Sequence, residues 1–210
     1  MSNCFYIYLA GNIKKGKEDE HELAWTLEDQ QLLQRQLPHI KLVFLNPATR
    51  SDDLSDQTSV FGRDLLQVFS SQLVLVDARG KRGLGVGAEM MFAKMNHIPV
   101  ISWLPADSHY HRQKIDLLGQ EVNDWIHPFV FSLSDYRAPS LESAAKWIQE
   151  ELISGRANIK GPESTTEAMR YYLENQLHRD HGMKELISSH PHFSNRIECI
   201  ENAYLDKALS

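Results

Sequence analysis

The chain has 210 residues, 42% of them hydrophobic, with 22 lysines and arginines against 28 aspartates and glutamates for a net charge of −6. That length carries one compact domain with a real core plus an appendage, or two small domains. The acidic balance argues against a binder of nucleic-acid polymers, while leaving room for a small anion held by local backbone amides. Cys4 and Cys199, far apart, give neither a disulfide framework nor a metal-ligand pattern and read as reduced thiols of a cytoplasmic protein. Met1-Ser2-Asn3 lacks a basic region followed by an apolar one, and no apolar run approaches the roughly 20 residues of a membrane span. No secretion signal and no membrane contact are expected.

In chain order, Phe5–Ala10 reads as a buried first strand closed by Gly11. Asp19–Leu37 has helical spacing, with Leu23, Leu27 and the Leu32/Leu33 pair on one face and Pro38 at its end. Lys41–Leu45 is a second strand stopped by Asn46-Pro47, and Thr49–Thr58 a polar loop. Val60–Ser70 is a second helix and Leu73–Val76 a third strand. Residues 77–87 hold four glycines in eleven positions and lead into a helix bearing Glu89, Met90, Met91, Phe92 and Met95. Ile98–Trp103 is a fourth strand, Pro128–Phe131 a fifth, and Leu141–Ile153 a closing helix. Strands alternating with helices predict a parallel sheet whose ligands bind beyond the strands' carboxyl ends. The division is an α/β domain over 1–153, a linker over 154–162 and a helical extension over 163–210. Within that extension Glu163–Leu177, Met183–Ser188 and Asn195–Leu209 are helical.

Gly83-Leu-Gly-Val-Gly-Ala-Glu89 follows the third strand. Its glycines allow close approach of a ligand, and amides at the start of the next helix can hold an anion. Glu89, on the expected first turn, is either an acid at the floor of the crevice or a charge favoured by the helix dipole. Gly11-Asn-Ile-Lys-Lys-Gly-Lys17 suits a loop around a phosphate or ribose, or a solvated turn. Asp64 can act on a base as a general acid or make a surface ion pair. Asp77 is a second acid or a turn cap. His109-Tyr-His111 and His190-Pro-His192 lack the accompanying ligands of a metal site. No metal and no cofactor are expected.

Tyr6-Ile-Tyr-Leu-Ala-Gly11, Arg63-Asp-Leu65 and Gly83–Glu89, in that order at the ends of three strands, resemble the nucleoside 2-deoxyribosyltransferase superfamily. Gly11–Asp19 and Leu84-Gly-Val-Gly-Ala-Glu89 lean towards its 2′-deoxynucleoside 5′-phosphate N-hydrolase branch. The resemblance covers about residues 5 to 137. It implies a flavodoxin-like, doubly wound, five-stranded sheet and a homo-oligomer that shares active sites. It also implies a retaining double displacement in which Glu89 forms a glycosyl ester, Asp64 assists the leaving base and Tyr8 orients the nucleophile. Gly11, Asn12, Ile13, Lys14, Arg82, Gly83, Gly85, Gly87 and Asp77 fall at substrate-binding positions. His127 closes the segment, from Asn123, where a neighbouring subunit would contribute. Where the hydrolase branch has phosphate-binding serines, this chain has Asn12 and Gly83. Where the transferases carry a second acid, it has Arg82-Gly83.

The expected function is therefore cleavage or transfer at the N-glycosidic bond of a nucleoside or its 5′-monophosphate, with hydrolysis favoured over base exchange. The raised pKa that acid catalysis needs is expected on Asp64 and not on Glu89. The alternative of another class is a catalytically silent nucleotide sensor that acts through the helical tail.

Overall fold

Alternate residues of the first strand, β1 (Cys4–Ala10), go to opposite sides of the sheet, and the side decides what each does. Phe5, Ile7 and Leu9 join one buried cluster with Leu73 and Leu75 of β3 (Leu73–Asp77), whereas Tyr8 and Ala10 join another with Val74 and Val76. The first cluster is closed by Leu33 and Leu37 at the end of α1 (Leu27–Gln36) and by Leu141, Ala144 and Ala145 of α5 (Leu141–Trp147). The second is closed by Val68 of α2 (Gln57–Phe69), by Val86, Met90 and Ala93 of α3 (Leu84–Met95), and by Leu133 of α4 (Pro128–Leu133). Helices thus cover both faces, and β3, buried along its whole length, reads as an unbroken apolar run.

The structure is a computed structural model that describes residues 4–13 and 24–208. The remaining strands of its main sheet are β2 (Lys41–Leu45), β4 (Val100–Trp103) and β7 (Tyr136–Ala138). All pairings in the order β2-β1-β3-β4-β7 are parallel, which is the flavodoxin-like doubly wound order. The order reverses between β1 and β3, so the loops after those two strands open on the crevice where such sheets bind ligands.

Several elements differ from the sequence reading. Residues 19–23 of the expected first helix lie outside the described residues, and α1 runs Leu27–Gln36. Residues 128–131 lie in α4, because Pro128 stands at the start of a helix, where its missing N–H costs nothing. The fifth strand is β7, three residues long and too short to register as a period. An antiparallel hairpin, β5 (His111–Leu117) and β6 (Gln120–Ile126), stands apart from the main sheet. Both of its strands are largely exposed, so no alternation of polar and apolar residues marks them; Gly119 at φ +79° makes the turn.

Gln34 stitches α1 to β2. Its Nε2 donates to the carbonyls of Leu37 (3.2 Å) and Ile40 (2.9 Å), and its Oε1 accepts from the Leu42 amide (3.0 Å). Gln34→Ala leaves those backbone groups without their partner and is expected to lower stability by about 2 kcal/mol in urea unfolding.

The chain divides into two units, Met1–Gly161 and Pro162–Ser210. The first ends in a π-helical turn, Ile148–Leu152, and in Lys160, whose Nζ donates to the carbonyls of Ser132 (2.9 Å) and Ser134 (2.7 Å). The second holds α6 (Glu163–Asn175), α7 (His181–Ser189) and α8 (Pro191–Ala208). There Asp180 caps α7 through the Met183 amide (3.0 Å) and accepts from the Tyr172 hydroxyl (2.7 Å). Among the described residues no helix is long and apolar enough to cross a membrane.

Candidate active site

Tyr8 is fully buried on the α3 side of β1 and donates its hydroxyl proton to Oε1 of Glu89 at 2.7 Å. The other oxygen, Oε2, is buried without a hydrogen-bond partner among the described residues. Glu89 is the sixth residue of α3, one turn deeper than the sequence reading placed it. At that depth the helix dipole no longer accounts for it, since that effect fades within the first turn. Burial pushes its pKa up to about 7, the Tyr8 hydrogen bond acts the other way, and the charge of Asp64 adds to the rise. Burial and the facing carboxylate also raise the Tyr8 phenol above its ordinary value, so it stays a donor at any physiological pH.

Asp64, on α2, is ion-paired with two arginines, Arg50 Nη1 at 3.4 Å and Arg63 Nη1 at 3.3 Å. Arg50 is held in turn by Asp52 at 2.5 Å. The raised pKa expected on the aspartate and not on Glu89 therefore falls on Glu89. Glu89 is the carboxyl that is largely withdrawn from solvent, with Oε2 buried, whereas Asp64 has guanidinium neighbours.

Asp77, fully buried at the end of β3, does not line the crevice. It receives Arg79 through Nε and Nη2, each at 2.9 Å, and pairs with Arg82 Nη2 at 2.8 Å. Arg82 also donates through Nε to the Asp77 carbonyl, and its amide donates to the Tyr110 hydroxyl at 2.8 Å. Asp77 is thus an anchor that shapes the loop after β3, and Arg82 reaches the crevice already charge-paired.

A cavity of about 530 Å³ opens at the switch in strand order. Gly11, Asn12 and Ile13 line it from the loop after β1; Lys81, Arg82 and Gly83 from the loop after β3; Gly85, Val86 and Glu89 from α3; and Asp64 from α2. Asn12 is tied across the crevice by its amide to the Lys81 carbonyl at 3.3 Å. Lys14 lies outside the described residues. Gly83 precedes α3 without a side-chain cap, and a side chain added at Gly85 or Gly87 would meet nothing within 4 Å. Glycine inside a helix costs up to about 1 kcal/mol relative to alanine, and no packing among the described residues requires it there.

Two apolar cavities adjoin this polar one. A chamber of about 310 Å³ between α2 and α3 shares Asp64, Gly85 and Glu89 with it and is walled by Leu54, Gln57, Val60, Phe61, Leu65 and Ala88. Residues 57, 60, 61 and 64 lie one turn apart on one face of α2, opposite residues 85, 88 and 89 of α3. A second chamber, of about 390 Å³, shares Arg82, Gly83 and Val86 and contains Gly87 and His127. His127 stands apart from Glu89, among Tyr110, Trp125 and Phe129. Burial lowers its pKa, and His109 adds to this. The sequence reading missed Arg50, Gln57, Phe61, Lys81, Tyr110 and Phe129. Only the helical spacing of Gln57 and Phe61 with Asp64 carried a signal for any of them. No group of His, Cys, Asp and Glu among the described residues is placed to hold a metal ion.

Removing the phenol hydroxyl should expose the tuning of Glu89. In Tyr8→Phe the carboxylate loses a bond that favours its charged form, so Glu89 is expected to titrate at a higher pH than in the parent protein; infrared difference spectra of the carboxyl across the pH range check this.

No family model matches the sequence, and no curated protein matches it. Among solved structures, the chain is similar to a 2-deoxyribosyltransferase from Bacillus psychrosaccharolyticus, 14% identical at a TM-score of 0.45, over 74% of this chain and 98% of that one. It is also similar to a 2-deoxyribosyltransferase from Leishmania mexicana, 12% identical at a TM-score of 0.48, over 70% of this chain and 99% of that one.

Proposed function

We propose that the protein cleaves the N-glycosidic bond of a nucleoside 5′-monophosphate by way of a glycosyl ester on Glu89, with water rather than an acceptor base as the usual second partner. The observation that carries this reading is the position of Glu89. It is a buried carboxylate, one oxygen held by Tyr8 and the other without a partner among the described residues, at the junction of a polar cavity and an apolar one. A nucleotide has the same division, with an anionic sugar phosphate at one end, a flat apolar base at the other, and C1′ between them.

In this reading Oε2 of Glu89 bonds to C1′ as the C1′–N bond breaks, and the electron pair goes to the base nitrogen. Water then replaces the carboxylate at C1′ and regenerates the enzyme. Asp64 faces both cavities with its oxygens held by two guanidiniums, and in this reading it accepts a hydrogen bond from the base. The departing base then takes its proton from water. Asn12, Lys81 and the first-turn amides of α3 serve the phosphate.

The nucleophile must be charged, so kcat/KM is expected to fall as the pH drops through about 7. Chromatography of mixtures of the protein with nucleosides and their 5′-monophosphates, with and without an acceptor base, tests the reaction. Free base from the monophosphates is the expected product. New nucleoside in the presence of acceptor assigns base exchange instead, and nucleotide binding without any turnover assigns a sensor.

The same reading includes a second copy of the chain. Leu54 and Phe61, which wall the α2/α3 chamber, both stand exposed, and a copy laid over them would close it from outside. Sedimentation at micromolar concentration is expected to give a dimer or larger.

A further inference from the structure

We infer that the substrate is a dinucleotide, a nucleoside whose 5′-phosphate carries, through a second phosphate, another nucleoside with its own aromatic base. The inference rests on the function proposed above and extends it by a second binding chamber.

Three cavities stand side by side, and the residues they share give their order. Glu89, Asp64 and Gly85 belong to the α2/α3 chamber and to the polar cavity. Arg82, Gly83 and Val86 belong to the polar cavity and to the chamber beyond it. The polar cavity is therefore flanked by an apolar chamber on each side, and only one of these reaches the nucleophile. A mononucleotide with C1′ at Glu89 and its base against α2 ends in the polar cavity. It leaves the far chamber without an occupant.

The far chamber is built for a flat ring. Met90, Met91 and Val130 form apolar wall, and Tyr110, His127 and Phe129 bring three rings. His127 meets Tyr110 edge-on at 5.4 Å between centroids and Phe129 at 6.0 Å. Its Nδ1 is buried with no hydrogen-bond partner among the described residues, so the ring meets the chamber through its other atoms. Tyr110 accepts from the Arg82 amide, so the far chamber and the wall of the polar cavity are one connected structure. A molecule that fills all three spaces has two aromatic ends and an anionic middle.

Asp64 narrows the choice of ring at the nucleophile's end. Its oxygens face Arg50 and Arg63, so a ring that leaves without needing a proton suits this end. A ring attached as an N-glycosyl pyridinium needs none. Glu89 bonds to C1′, the C1′–N pair returns to the ring nitrogen, and the ring leaves neutral. Water then takes the place of the carboxylate at C1′ and releases one proton to solvent.

Nicotinamide mononucleotide and nicotinamide adenine dinucleotide share that scissile bond and differ only by the second nucleotide, so they form the test pair. Their affinities for the inactive Glu89→Gln protein are measured by calorimetry, alone and in Glu89→Gln/Phe129→Ala. Stacking of a base on aromatic side chains is expected to make the dinucleotide bind roughly ten- to a hundredfold tighter than the mononucleotide. In the Phe129→Ala background that ratio should fall towards one. Phe129 is largely exposed, so its loss leaves the fold intact; circular dichroism verifies this. A dinucleotide that binds no tighter than the mononucleotide, or an advantage that survives Phe129→Ala, overturns the inference and leaves the proposed function standing. Failure of both to bind, together with failure of the parent protein to release base from any nucleotide, overturns the proposed function itself.

Discussion

Glu89→Gln is expected to abolish turnover and, at the same time, to make the protein more stable. The glutamine keeps an oxygen for the Tyr8 hydroxyl, so the local packing survives. It cannot displace a base at C1′, and loss of a nucleophile lowers kcat by roughly a thousandfold or more. The stability gain follows from the pKa. In the folded protein burial holds Glu89 at about 7, above its ordinary 4.5. Between those two values the folded chain keeps a proton that the unfolded chain has released, so the parent protein loses stability as the pH rises from about 4.5 to about 7. Above 7 the loss is complete. It amounts to about 3 kcal/mol at most, taking 1.36 kcal/mol per unit. Glutamine never charges, so the variant should match its parent at pH 4 and exceed it at pH 8, with Tm higher by several degrees. Thermal scans at the two pH values measure this. Equal stability at pH 8 would mean that the carboxyl is not held in a dry site.

The largest loss of stability is expected at Asp135. Lys94 of α3 and Asp135, just ahead of β7, form an ion pair whose side chains are both fully buried. Asp135 also accepts from the amides of Val100 at 2.6 Å and Lys160 at 2.8 Å. One carboxylate thus joins α3, the start of β4, the sheet edge and the last residues of the first unit. Asp135→Ala leaves a buried ammonium without its counter-ion and two amides without an acceptor. The expected cost is about 3–5 kcal/mol, a large share of the 5–15 kcal/mol of a typical fold. Urea unfolding measures it. Lys114→Ala, which breaks the exposed pair with Glu121, is the control and should stay within about 0.5 kcal/mol. Asp135→Ala behaving like that control would show that the buried pair adds nothing.

The core of the fold was legible because buried parallel strands leave strong apolar runs: Phe5–Ala10, Lys41–Leu45 and Leu73–Val76 all stand in the sheet. Pro128–Phe131 misled because a short apolar run suits strand and helix alike, and only Pro128 at its head favoured the helix. The hairpin was invisible because its side chains mostly face solvent and carry no period.

At the site, the pattern of the glycine run led to Glu89, and the alternation of β1 put Tyr8 on the same side of the sheet. Which acid would be ion-paired could not be read, because Arg50, the partner of Asp64, lies fourteen residues away and across a loop. Asp77 looked like a site acid for the same reason: its partners Arg79 and Arg82 lie in a loop whose course no spacing predicts. The far chamber joins the hairpin's flanks to α3, and that meeting is purely tertiary.

The most direct test is to treat the protein with a slow 2′-fluorinated nucleoside 5′-monophosphate and map any adduct by mass spectrometry. A sugar phosphate ester on the peptide containing Glu89, lost again on release of product, is the expected result. Free base formed with no adduct on any residue, or an adduct on Asp64, would contradict Glu89 as the nucleophile.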